Sequence, residues 1–177
     1  MSSSSAKLNV SANASPTLVL IGEGAAFQER LCSMIERAQM FKDFTRQEIQ
    51  VISQYARAYE VEKGNAVFRE GQKGTYMCLL VDGLIDIMKE DDKREAKKIS
   101  TIRPGKTMGE MSIIDEMPHS ASAVAAENVT LVLITKMNFD RLLDENPLLG
   151  VKVFRQIARL ISLRLRQTTG ILLDYLS

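Results

Sequence analysis

Between residues 25 and 40 the apolar positions Phe27, Leu31, Met34, Ile35 and Ala38 recur at three and four, which marks one buried face of a helix. Thr45 followed by Glu48 fits a capping box, in which each side chain satisfies a free amide at a helix start. A second helix is therefore expected to run to about Ala56, with Ile49 and Ile52 facing inward. The pattern then shortens. Short apolar runs at 67–68, 76–81, 84–88, 99–102, 121–125 and 129–134 predict strands, punctuated by glycines such as Gly64, Gly74, Gly83 and Gly105. Asp82-Gly83 predicts a tight hairpin in which both central residues take positive φ. Helical periodicity returns after Lys136. Asn138 is expected to cap a short helix ending near Glu145, Asn146-Pro147 to open a long one, and Gly170 to end it. In the long helix Phe154, Ile157, Ile161, Leu165, Thr168 and Leu172 form a stripe. It fits either a homodimer seam along residues 147–169 or packing against the chain's own barrel.

With 177 residues, this pattern makes one domain in four stretches: a disordered tail at 1–22, helices at 23–57, a strand-rich region at 58–137 and C-terminal helices at 138–177. Composition changes little in that picture. A net charge of +1 argues against a dedicated nucleic-acid surface. Nine of the ten residues from 89 to 98 are charged, but with mixed signs, as expected of a solvated hairpin tip. No apolar run reaches the length of a membrane span, and the run at 17–21 is too short for a signal-peptide core, so a cytoplasmic protein is expected. Cys32 and Cys78 lie in apolar runs and read as reduced core residues. With one histidine and no clustered ligands, no metal site and no cofactor are expected. Enzyme signatures are also missing: no nucleophile stands beside a histidine in a recognised motif, and Gly105-Lys106-Thr107 lacks the rest of a phosphate-binding loop.

The segment richest in chemistry is 104–125, PGKTMGEMSIIDEMPHSASAVA, a loop holding a short helical turn between two strands. Gly109 leaves room for close approach to backbone. The amides of Met111, Ser112 and Ile113 begin the turn and suit an anion. Glu110 can accept hydrogen bonds from ribose hydroxyls or simply shape the turn, and Ser120 can help hold phosphate or be an ordinary loop serine.

On these residues the chain resembles the cyclic-nucleotide-binding domain family of catabolite-activator-type regulators, kinase regulatory subunits and gated channels. Gly109-Glu110-Met111-Ser112-Ile113-Ile114 and Pro118-His119-Ser120-Ala121 resemble the two halves of the family's phosphate-binding cassette. Residues 64–71 resemble its early hairpin, 81–85 its strand-turn-strand, and 139–147 the lead into its last helix. The resemblance covers about residues 40–166. It implies a mainly β fold, an eight-stranded β-roll or jelly roll with N-terminal helices and a long C-terminal helix. It also implies a ligand such as cyclic AMP or cyclic GMP on Gly109, Glu110, Met111, Ser112, His119, Ser120 and Ala121.

Where the family carries arginine against the cyclic phosphate, this chain has His119. Guanidinium is always charged and offers a fork of donors, whereas an imidazole with an ordinary pKa near ~6.5 is mostly neutral at pH 7. His119 is then either a pH-sensitive phosphate contact or a residue of a pocket that has lost its ligand. Lys106 and Arg103 are candidates to replace the missing charge. Two functions follow: a stand-alone, non-catalytic sensor signalling to a protein effector through its last helix, or a scaffold with a decayed pocket. Direct DNA binding is not expected, because the sequence after Gly170 leaves no room for a helix-turn-helix.

Overall fold

The structure, a computed structural model, describes residues 18–22 and 25–176. Its strands are β1 (Val19–Gly22), β2 (Arg57–Val61), β3 (Ala66–Phe68), β4 (Tyr76–Asp82), β5 (Ile85–Glu90), β6 (Ala96–Ile102), β7 (Thr107–Met108), β8 (Ser122–Ala125) and β9 (Val129–Thr135). Helices α1 (Ala25–Glu36) and α2 (Arg46–Ser53) precede the main strands, α3 (Glu110–Asp115) interrupts them, and α4 (Lys136–Glu145) and α5 (Pro147–Leu176) follow. The strands form two antiparallel sheets, ordered β1-β2-β9-β4-β7 and β3-β8-β5-β6, wrapped as a roll. This is the expected fold class, with nine strands among the described residues where eight were expected.

The roll has a different core on each side of its five-stranded sheet. Cys78 and Leu80 of β4, with Val129, Leu131 and Leu133 of β9, face the inside against Phe68 and Ile85. The alternate residues Met77, Leu79, Val132 and Ile134 face outward against Leu31, Ile52, Phe139 and Ile157 of the helices. Because a strand's side chains alternate, a strand covered on both faces must be apolar throughout. That is why β4 and β9 read as unbroken hydrophobic runs. Cys32 and Cys78 are buried in separate cores, one on each side.

The capping box at Thr45 and Glu48 is present. The Glu48 carboxylate also accepts two bonds from Lys152 Nζ, at 2.7 and 2.9 Å, which ties α2 to α5.

Four expectations change. Residues 19–22, placed in a disordered tail, form β1 against β2; residues 1–17 lie outside the described residues. Asp82-Gly83 is not a two-residue hairpin, because β4 pairs with β7 and β9 while β5 pairs with β6 and β8. The turn carries the chain from one sheet to the other, and only Gly83 has positive φ, at 84°. A Cβ there would stand 2.5 Å from the carbonyl oxygen of Asn128, so glycine is required twice over. Thr135, not Asn138, caps α4: its hydroxyl accepts from the Asn138 amide at 3.2 Å. The Asn138 side chain instead donates to the Tyr55 carbonyl at 3.0 Å. Gly170 does not stop α5, which continues in helical geometry to Leu176. The stripe on α5 is divided: Ile157 is buried, whereas Phe154 and Leu165 are 44% and 66% exposed.

Candidate functional site

The segment 109–121 keeps the form anticipated for it. Two short strand residues, Thr107 and Met108, pair with β4, and the chain then turns sharply at Gly109 with φ at 77° and ψ at 2°. A Cβ at Gly109 would lie 2.9 Å from the Tyr76 carbonyl oxygen, so the turn needs glycine for both angle and space. Helix α3 then makes six residues and ends at Glu116 in the left-handed region. The chain returns past Pro118, which bridges to Lys73, and enters β8 at Ser122.

Glu110 is 1% exposed, although a carboxylate is rarely buried without a partner. The partner comes from the far end of the chain. Arg164 of α5 donates from Nη1 to Glu110 Oε1, and from Nη2 to the Thr107 carbonyl at 2.6 Å. The Thr107 hydroxyl adds a long contact to the same carboxylate oxygen at 3.5 Å. The fork of one guanidinium thus ties the last helix to both strands of chain around Gly109.

His119 is turned into the fold and is 5% exposed. Its ring stacks on Phe68 with centroids 4.0 Å apart and planes 14° from parallel. Nδ1 lies 3.2 Å from the Ser112 hydroxyl. Its backbone is also fixed, with the amide donating to the Gln72 carbonyl and the carbonyl accepting from the Gly71 amide, each at 2.9 Å. Burial holds its pKa below the ordinary histidine value.

The fold brings together Gly109, Glu110, Ser112 and His119. Met111 turns its side chain toward solvent at 49% exposure. Ser120 is exposed, with its carbonyl accepting from Lys89 Nζ at 2.7 Å, and Ala121 is half-buried just before β8. Of the two candidates for the missing charge, Lys106 reaches Gln39 near the N-terminal helices, and Arg103 lies exposed in the turn after β6. Neither is seated on the segment.

Arg164 is the residue that the sequence reading passed over. A signal for it exists: it lies seven residues beyond buried Ile157 and eleven beyond buried Val153, so a charge sits on the inward face of the helix. Phe68 was read only as a strand residue, because nothing local to it announces a ring 51 positions later in the chain.

Comparison with known proteins supplies the relatives. The cyclic nucleotide-binding domain profile matches residues 59–146. The Cyclic AMP receptor protein of Thermus thermophilus is 28% identical over 138 residues, covering 78% of this chain and 62% of the relative. A cAMP-dependent protein kinase regulatory subunit of Colletotrichum orbiculare is 31% identical, covering 63% of this chain and 30% of the relative. The chain therefore spans less than two thirds of these curated relatives. Among solved structures, a cyclic nucleotide-binding domain from Methylobacillus flagellatus superposes with a TM-score of 0.78 at 27% identity, covering 89% of both chains. The profile, the relatives and the roll with its cassette agree: over residues 59–146 this chain belongs to the cyclic nucleotide-binding domain family.

Proposed function

We propose that this chain is a non-catalytic sensor that binds cyclic AMP or cyclic GMP on the 109–121 segment and reports occupancy through α5. One observation carries this reading: the buried Glu110 carboxylate is occupied by Arg164 of the last helix. A ribose hydroxyl donating to Glu110 must share or displace that guanidinium. Ligand and helix then compete for one carboxylate, and a ligand that contacts one helix position better than another shifts the population. The helix also offers a surface on which to report. Val151, Phe154 and Leu165 are exposed at heptad-compatible spacing, which supports self-association or an effector protein as the receiver.

A second reading is favoured by the state of His119. Its ring is stacked and bonded inside the fold, neutral at pH 7, and does not offer the charge that the family's arginine supplies. On that reading the roll is a scaffold with little nucleotide affinity. Calorimetric titration of the full chain with cyclic AMP and cyclic GMP separates the two. Saturable heat supports the sensor, and flat traces at millimolar ligand support the scaffold. No membrane role is proposed; among the described residues no helix is long and apolar enough to cross a bilayer.

A further inference from the structure

We infer that Lys89 of β5 is the cation that receives the ligand's cyclic phosphate in this chain, in the role left open by His119; this rests on the sensor reading above. The placement follows from the sheet. Ile85 and Ile87 of β5 pack into the interior of the roll, and alternation puts Lys89 on the same face, two residues further along the strand. Strand β5 pairs with β8 so that Ile87 stands opposite Ala123 and Met88 opposite Ser122. Continuing that register brings Lys89 to Ala121, at the end of the cassette. Its ammonium is there: Nζ donates to the Ser120 carbonyl at 2.7 Å and to Glu70 Oε1 at 2.8 Å.

Three features suit Lys89 to an anion. An ammonium has three donors, and two are accounted for by Ser120 and Glu70. The side chain is 51% exposed, so the ammonium is accessible to a ligand from solvent. Glu70 is itself anchored, accepting from the Glu90 amide at 3.1 Å, and its amide donates to the Ser122 hydroxyl at 2.9 Å. The lysine is therefore held at the cassette by fixed acceptors. A phosphate entering beside Ser120 would compete with the Glu70 carboxylate for this ammonium, in the position from which Lys106 and Arg103 are absent. Lysine gives a point charge and not a fork, so the expected preference is for negative charge without strict geometry.

The test compares cyclic AMP with adenosine, which shares base and ribose but has no charge, by calorimetry on the full chain carrying Lys89→Met or Lys89→Arg. Lys89→Met is expected to weaken cyclic AMP by tenfold or more while changing adenosine by less than threefold. Lys89→Arg should restore most of the loss. A lysine that only braces the Ser120 carbonyl would weaken both ligands equally, and that result overturns the inference. Unchanged cyclic AMP affinity in Lys89→Met also overturns it while leaving the sensor reading intact. Absence of cyclic AMP binding to the unaltered chain overturns both.

Discussion

Arg164 and Glu110 stand 54 residues apart in sequence and meet in the fold, where the guanidinium Nη1 donates to the carboxylate Oε1. Glu110 is almost fully buried while the Arg164 side chain keeps 37% of its surface, so the pair can be opened from the solvent side. The contact is asymmetric: the arginine can leave for water at little cost, but the carboxylate left behind needs another donor.

Replacing Arg164 with alanine tests that asymmetry. The variant should lose about 1–3 kcal/mol of unfolding free energy in urea, because a buried carboxylate is left with one long hydroxyl contact. Cyclic AMP affinity should rise by about tenfold, because the competitor for Glu110 is gone. A variant that loses stability without any gain in affinity would make Arg164 a structural brace only.

His119 is the single histidine of the chain, so its proton NMR titration needs no assignment. Burial beside Phe68 favours the neutral ring, and the titration midpoint should fall below the ordinary ~6.5. The unfolded chain then binds the proton more readily than the folded one. Stability from this group is complete above about pH 6.5 and is lost as pH falls from there toward the folded midpoint. Thermal melts between pH 7.5 and 5 should show that decline, and His119→Gln should flatten it. A midpoint at or above 6.5 would contradict the buried placement.

Gly109→Ala should destabilise the chain by roughly 1–3 kcal/mol, the order expected when a side chain is forced into the left-handed region and against a carbonyl. Urea unfolding reads the effect directly. Gly170→Ala, in open helical space, should be neutral or slightly stabilising in the same assay.

Sequence patterns conveyed the parts of this structure whose causes are local. The capping box at Thr45, the apolar runs of β4 and β9, the charged tip between β5 and β6 and the Gly109 turn are each decided by residues within a few positions. What escaped depends on distant partners. Strand β2 carries Arg57 and Glu60 at its surface and is a strand because β9 runs beside it. Strand β7 has two residues and exists through its pairing with Cys78 and Leu79. At Gly170 a local stop signal lost to the continuing ladder of α5. The same division runs through the site. Gly109 and Glu110 are legible in their own motif, whereas Arg164 and the Phe68 stack are set by the tertiary fold.

The most direct test of the account is a calorimetric comparison of cyclic AMP with its 2′-deoxy analogue on the full chain. If the ribose hydroxyl takes the place of Arg164 at Glu110, cyclic AMP should bind, and the deoxy compound should bind about 10- to 100-fold more weakly, the value of a hydrogen bond to a charged group. Equal affinities, or no heat from either ligand, would contradict it.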